Sequence, residues 1–128
     1  MQIFIHYFLH LGFPFFIAFL FFRNDWKKVY FILIATMLVD LDHLLSSPIF
    51  ESNRCSINFH FLHTYYAMAI YTVLLFFRKP FNIIGLGLLF HMVTDLIDCL
   101  IMYSGCKACF ADAPALNLLK AISDLIGV

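Results

Sequence analysis

Residues 88–99 read LLFHMVTDLIDC and place a histidine and two aspartates inside an apolar stretch that runs from Phe81 to Tyr103. That stretch is sufficient to cross the hydrocarbon core of a bilayer, which takes about 20 helical residues. An aspartate near the middle of such a helix costs roughly 2.5–3.5 kcal/mol on insertion scales. His91, Asp95 and Asp98 therefore need partners inside the protein.

The composition of the whole chain indicates an integral membrane protein with a single domain, residues 1–128. The chain is 63% hydrophobic and 12% charged, and its mean hydropathy is +0.92, whereas soluble domains carry about 25% charged residues. Eight basic residues balance eight acidic ones, and no basic run occurs. Nucleic acid is therefore not an expected partner.

Four apolar stretches are each about long enough to cross a bilayer as a helix. Short polar breaks separate them, so helices that follow one another in sequence are expected to pack antiparallel. A shorter segment near the C-terminus has leucine and isoleucine at helical spacing, which favours an amphipathic helix on the membrane surface. The sequence predicts an all-α membrane four-helix bundle, with transmembrane helices at about 3–22, 29–46, 59–77 and 81–103, plus the amphipathic helix at about 114–126.

The basic residues predict the orientation of the bundle. Five of the eight lie at the ends shared by the first two or the last two predicted helices: Arg23, Lys27, Lys28, Arg78 and Lys79. The positive-inside rule assigns these ends to the cytoplasm. The N-terminus and the 47–58 loop then face outward, which in a bacterial cell means the periplasmic side of the inner membrane.

Ten ionisable residues fall inside the four predicted spans, and they include all six histidines of the chain. At about 1.5 Å per residue from the basic ends, all ten lie at roughly 18–28 Å of depth. They therefore form one layer in the outer half of the membrane. The ten are His6, His10, Asp40, Asp42, His43, His60, His63, His91, Asp95 and Asp98.

The spacing within this layer predicts shared helix faces, because positions three, four and seven apart lie on one side of a helix. The sets are His6 with His10, Asp40 with His43, His60 with His63, and His91 with Asp95 and Asp98. Imidazole and carboxylate together are ligands for zinc and similar divalent ions. Polar packing is the alternative, but it would scatter residues through both leaflets and favour Ser, Thr and Asn. We therefore expect one or two divalent ions, zinc first.

The order of the motifs is His10, then DLDH at 40–43, HFLH at 60–63 and HMVTD at 91–95. This order resembles the bacterial inner-membrane family of membrane-bound metal-dependent hydrolases. Residues 1–103 also resemble a compact family of uncharacterised bacterial membrane proteins. The H-x-x-x-D pair is more distantly similar to zinc-dependent phospholipase C. The resemblance implies a zinc-type hydrolase.

A zinc hydrolase needs metal ligands and a base that accepts a proton from water. Asp42 is about 200° from Asp40 around an unbroken helix, so it is predicted to act as a base or to support a ligand. Arg54 is the one cation near the mouth suited to a phosphate, and a solvated loop charge is an equally good interpretation of it. The predicted ligands are His10, Asp40, His43, His63, His91 and Asp95, with Asp98 or Asp42 as base and with His6 and His60 on a second ion or on the substrate.

A site in the outer half of the bilayer is reached most easily by a lipid-linked substrate, so an ester or phosphodiester of a lipid is expected. Two other functions remain open. One is a non-catalytic membrane protein that a metal stabilises. The other is transport of a proton or metal ion, which the sequence disfavours because the cytoplasmic halves lack matching polar residues. The oligomeric state is left open.

All four cysteines map to the predicted outer side, where disulfides are permitted. Three pairings are possible. A bond between Cys55 and Cys99 would tie the 47–58 loop to the fourth helix. Cys106 and Cys109 would then pair with each other, stay free, or bind a metal.

Overall fold

The computed structural model describes residues 2–49 and 51–127, with side chains from residue 4 onward. Helix accounts for 74% of the structure and the described residues contain no strand, which confirms the all-α class. The helical elements are α1 (Gln2–Tyr7), a π-helical turn (Phe8–Gly12), α2 (Phe13–Phe21), α3 (Trp26–Ala35), a long 3-10 helix (Thr36–Leu45), a short 3-10 turn (Phe61–His63), α4 (Tyr65–Leu74), α5 (Phe81–Gly105), a 3-10 turn (Lys107–Phe110) and α6 (Leu116–Ile126).

Two helical stretches of the described chain are long and apolar enough to cross a membrane, Phe4–Phe21 and Phe81–Gly105. They correspond to the first and fourth predicted spans. The first contains the π-helical turn, which carries His10. A π turn holds an extra residue and so rotates the side chains that precede it relative to those that follow.

The second predicted span is helical from Trp26 to Leu45, but its backbone changes type on the way. α3 ends at Ala35 and continues directly into the 3-10 helix Thr36–Leu45. With three residues per turn, side chains three apart are eclipsed in a 3-10 helix. Asp40 and His43 are three apart, and their side chains lie 3.4 Å from each other, between Oδ1 and Nδ1.

The third predicted span was wrong at its start, because α4 begins at Tyr65 rather than at residue 59. Thr64 caps the helix, and its Oγ1 accepts a hydrogen bond from the Ala67 N–H at 3.3 Å. His60 is extended, with φ −81° and ψ 149°, so His60 and His63 do not share a helix face as predicted. The Tyr71 hydroxyl donates to the Leu62 carbonyl at 2.9 Å and holds this non-helical segment against α4.

α5 is the central helix, and α1, α3, α4 and α6 all pack against it. Two glycines allow close approach to its neighbours. A Cβ on Gly85 would lie 2.7 Å from the Tyr71 carbonyl oxygen, and one on Gly87 would lie 2.6 Å from Thr36 Oγ1. Small residues at such crossings let helix backbones approach closely in membrane proteins.

Two disulfides lie at the end of α5 that carries the polar residues. One joins Cys55 to Cys99 and ties the segment before the short 3-10 turn to α5. The other joins Cys106 to Cys109 across the turn that follows α5. Beyond this turn, α6 packs against α5 and buries Leu119 in the same core cluster as Phe110.

Candidate metal centre

Four predicted ligands converge where α5 meets the long 3-10 helix and the short 3-10 turn. They are Asp40, His63, His91 and Asp95, and their ligand atoms all lie within 4.8 Å of one another. His91 and Asp95 are one turn apart on α5, so the i, i+4 spacing in the sequence was a sound guide there. We call this set the metal centre.

Five distances within the metal centre are close to the edge lengths of a tetrahedral cage. His91 Nε2 lies 3.0 Å from Asp40 Oδ1 and 3.7 Å from Asp95 Oδ2. His63 Nε2 lies 3.1 Å from Asp95 Oδ2, 3.5 Å from Asp40 Oδ1 and 3.4 Å from His91 Nε2. Ligands bound at 2.0–2.1 Å to a tetrahedral zinc ion are about 3.3 Å apart. The four groups therefore fit one small divalent ion.

Burial adds a second reason for an ion at this point. The side chains of His63 and His91 are fully buried and that of Asp95 nearly so. Asp95 Oδ2 has no hydrogen-bond partner among the described residues, although almost every buried polar atom in a protein has one. A cation between these side chains would compensate the carboxylates and accept the two facing Nε2 lone pairs.

Asp42 orients His63 from the side opposite the metal centre. Its Oδ2 accepts the Nδ1–H of His63 at 3.1 Å and the backbone N–H of Leu62 at 2.7 Å. A carboxylate on the second nitrogen of a metal-ligating histidine fixes its tautomer and orientation. Asp42 is therefore placed to support His63, and it is not among the described residues that line the large cavity described below.

His10 lies beside the metal centre rather than within it. Its Nε2 is 3.6 Å from Asp95 Oδ1, on the carboxylate oxygen that faces away from the cage. Its ring also lies 3.1 Å from Thr94 Oγ1 and 3.1 Å from Met37 Sδ. Sequence reasoning missed both neighbours, although Thr94 is three residues after His91 and so shares its face.

The remaining predicted residues form two smaller groups. His6 Nδ1 hydrogen-bonds to Asp98 Oδ2 at the edge of the site. Asp42, His43 and His60 form a second set of ligand atoms within 4.8 Å of one another, which we call the second cluster. The Nε2 of His43 is 3.0 Å from Ser56 Oγ, another contact that the sequence did not predict.

A large cavity of ≈ 750 Å³ opens beside the metal centre. Its polar wall includes His6, Asp40, His43, Ser56, Asp95 and Asp98, and its apolar wall includes Leu38, Leu41, Leu44 and Ile49. No lysine or arginine is among the described residues that line it. The cavity therefore joins an acidic, histidine-rich floor to a hydrocarbon-like wall.

Arg54 does not face the large cavity as a phosphate ligand would. Its guanidinium donates to the carbonyl of Pro48 at 2.6 Å and to that of Ile49 at 2.5 Å. It also donates to Ser46 Oγ at 3.1 Å. The side chain therefore holds its own loop together, and an anionic group in the cavity would have to be neutralised by other means.

Comparison with known proteins gives a family but no activity. Neither the curated proteins nor the solved structures contain a match to this chain. A family model described as a family of unknown function, DUF6122, matches residues 1–102. This range contains every residue of the metal centre and of the second cluster. The chain belongs to the DUF6122 family.

Proposed function

We propose that this protein is an integral membrane metalloprotein, a zinc-dependent hydrolase that cleaves a lipid-linked ester or phosphodiester at the outer leaflet. The observation that carries the proposal is the tetrahedral cage of the metal centre on the floor of the large cavity. Asp40 and Asp95 belong both to the cage and to the cavity wall. An ion held there would face whatever enters the cavity.

The lengths of the helices support a modified membrane bundle. The ten residues of α3 and the ten of the long 3-10 helix extend about 35 Å together, enough for a hydrocarbon core of about 30 Å. The ten residues of α4 extend only about 15 Å. We infer three full spans and one half-length helix, with non-helical backbone at 59–64 tolerated because it lines the site.

The basic residues support a periplasmic site. Arg23, Lys27 and Lys28 follow α2 or lie in the first turn of α3, and Arg78 and Lys79 precede α5. The positive-inside rule assigns these ends to the cytoplasm. The metal centre lies toward the other end of the same helices, within reach of a lipid in the outer leaflet.

The side chains divide the work of hydrolysis among them. When bound, a zinc ion supplies an acidified water molecule and a charge that polarises the substrate oxygen. Asp42 keeps the Nε2 of His63 directed at the cage. Asp98 lines the large cavity and is the base, and its partner His6 receives or returns the proton.

The walls of the large cavity suit a lipid-linked substrate. Leu38, Leu41 and Leu44 can contact an acyl chain, while the scissile group reaches Asp40 and Asp95. Because arginine and lysine are missing from the described lining, a phosphodiester would depend on the bound ion for its charge compensation. An ester carbonyl needs only polarisation.

A non-catalytic, metal-stabilised protein is the second candidate function. Four protein ligands complete a tetrahedron, and closed four-ligand sites are typical of structural zinc. The side chain of Asp40 is 43% exposed, however, so it is the ligand that substrate or water can displace. Transport has less support, because the described core at the basic end consists of Ala18, Val29, Leu33 and Ile83.

Metal content tests the metal centre first, and turnover then tests the hydrolase activity. Full-length protein purified in mild detergent without chelator is expected to carry zinc by elemental analysis, and His91→Ala is expected to lose the metal of this centre because it removes a fully buried ligand. Thr72→Ala, on the exposed side of α4, is the control that keeps the metal. Stable, monodisperse wild-type protein without metal would refute the metal centre.

Turnover separates the two candidate functions. Zinc-loaded protein is offered a nitrophenyl fatty-acid ester and a nitrophenyl phosphodiester in mixed micelles. Release of nitrophenol that chelation stops and zinc restores supports a hydrolase. Zinc-loaded protein that releases none from either probe is instead a metal-stabilised membrane protein.

A further inference from the structure

The second cluster lies beside the metal centre and contributes three further ligand atoms that lie within 4.8 Å of one another. Asp42 and His43 come from the long 3-10 helix, and His60 comes from the extended segment before the short 3-10 turn. Asp42 and His60 are buried, and His43 is partly buried. Two imidazoles and one carboxylate are a common set of protein ligands for a catalytic divalent ion.

The two carboxylate oxygens of Asp42 have different surroundings. Oδ2 already accepts hydrogen bonds from Leu62 and His63. Oδ1 is buried, has no hydrogen-bond partner among the described residues, and lies 3.2 Å from His43 Nδ1. Such an atom in a native protein calls for an explanation, and a bound ion is one. Its neighbour His43 belongs to the second cluster.

The charge around His63 also exceeds what one ion compensates. Its two ring nitrogens lie within 3.5 Å of carboxylate oxygens of Asp40, Asp42 and Asp95. One divalent cation balances two of these three charges if the histidines bind as neutral ligands. A buried carboxylate without a compensating cation is costly even when it is hydrogen-bonded, so a second cation near Asp42 is favoured.

The two histidines of the second cluster lie close together. The rings of His43 and His60 are only 3.8 Å apart between centroids, a distance at which two imidazolium charges would repel. A small cavity of ≈ 230 Å³ touches Asp42, Ser46 and His60. His43 also lines the large cavity, so the second cluster lies between the two spaces.

We propose that Asp42, His43 and His60 bind a second divalent cation of the zinc class, with a coordination position left open for water. The assignment rests on the proposed function, because it gives the water-holding task to a site adjacent to the large cavity. The metal centre has four protein ligands, so water reaches its ion only by displacing Asp40, whereas the second cluster has three ligands and leaves one position open. Asp42 joins the two sites, since one of its oxygens orients His63 while the other binds the second ion.

The test counts metal ions in full-length protein after stripping with chelator and reloading with zinc or cobalt. Wild-type protein is expected to bind about two equivalents, the number of a two-metal site. His60→Gln and His43→Gln each lower this to about one, because each leaves the metal centre intact but opens the second cluster. Cobalt absorption is expected to show two spectroscopically distinct sites in the wild type and one in either variant.

His6→Gln is the matched control, since it removes a histidine of the large cavity that belongs to neither set. It is expected to keep both equivalents. If wild-type protein binds one equivalent of metal, and if His60→Gln and His43→Gln bind the same amount, the second site is overturned and the metal centre is not. A metal-free wild type would overturn both, and two equivalents without turnover would overturn only the hydrolase. The metal content of each variant is measured only on protein that elutes from size-exclusion chromatography as a single symmetric peak. A misfolded variant is then not mistaken for one that has lost a metal ligand.

Discussion

The same helices behave differently at their two ends. At the basic end, α2, α3 and the start of α5 are regular α-helices around the apolar core of Ala18, Val29, Leu33 and Ile83. At the polar end, the first helix passes through a π turn and the second becomes a 3-10 helix. The third segment has no α-helix there until Tyr65. We call these the apolar half and the polar half.

The difference shows what convergence of ligands requires of a helix bundle. Regular α-helices present a residue to a neighbour only every three or four positions. The metal centre brings together candidate ligands from three helical elements. Each departure from α geometry turns the side chains of its element toward that point. The polar half therefore depends on hydrogen bonds and disulfides, to which the proposed metal ligation would add, whereas the apolar half depends on close packing.

Removal of the disulfide between Cys55 and Cys99 is expected to have the largest effect, and in the polar half. The bond closes a loop of 44 residues, so Cys55→Ser with Cys99→Ser should lower the free energy of unfolding by about 4 kcal/mol in the loop-entropy model. Equilibrium unfolding in mild detergent measures the loss. Hydrogen exchange should show that amides around residues 51–64 lose protection, whereas the protection of amides in α2 does not change.

The second disulfide is the matched control. Cys106 and Cys109 are three residues apart, and the same model gives about 1.6 kcal/mol for their removal. Equal losses for the two pairs would mean that the tie between the loop and α5 does not hold the polar half together.

Leu33→Ala tests the apolar half. Leu33 is 2% exposed, and truncation of a buried leucine leaves a cavity that costs about 3 kcal/mol. The number of metal ions per chain should not change, because no ligand contacts this core. Leu20→Ala, at a site that is 60% exposed, is the control and should change the free energy of unfolding by less than about 0.5 kcal/mol. Loss of metal together with stability in Leu33→Ala would show that the two halves are coupled.

The sequence predicted the convergence of these His and Asp side chains better than it predicted the backbone that brings them together. His91 and Asp95 lie on a true α-helix, so the period of 3.6 residues assigned them to one face correctly. Asp40 and His63 were predicted from residue type and depth, and the structure brings both to the same point. Depth along the membrane is insensitive to the local type of helix, which explains this success.

The same reasoning misplaced the start of α4 because hydropathy does not distinguish an apolar turn from an apolar helix. Phe59, Phe61 and Leu62 continue the hydrophobic pattern up to α4. Thr64 was the available signal, since threonine is a preferred N-cap residue. The direction of the Asp42 side chain was predicted for an unbroken α-helix. No pattern in the sequence predicts the change to 3-10 geometry at Thr36.

Gly85→Ala probes the crossing that joins the two halves and is expected to have the smallest effect of the three. The new Cβ would meet the Tyr71 carbonyl oxygen at 2.7 Å and Leu74 Cβ at 2.8 Å, and a backbone atom cannot move away as a flexible side chain can. Overpacking of this kind costs about 2 kcal/mol. Gly105→Ala is the control, because a Cβ there has nothing within 4 Å.

The affinity of Gly85→Ala for metal tests whether packing of α4 affects the metal centre in the polar half. Tyr71 donates to the Leu62 carbonyl, and His63 follows Leu62, so displacement of α4 would be passed to one ligand of the metal centre. We expect zinc to bind Gly85→Ala more weakly than it binds Gly105→Ala in a competition titration with a chelator. Unchanged affinity with lowered stability would show that the short 3-10 turn is held by the ligands and Asp42, and that α4 contributes only packing.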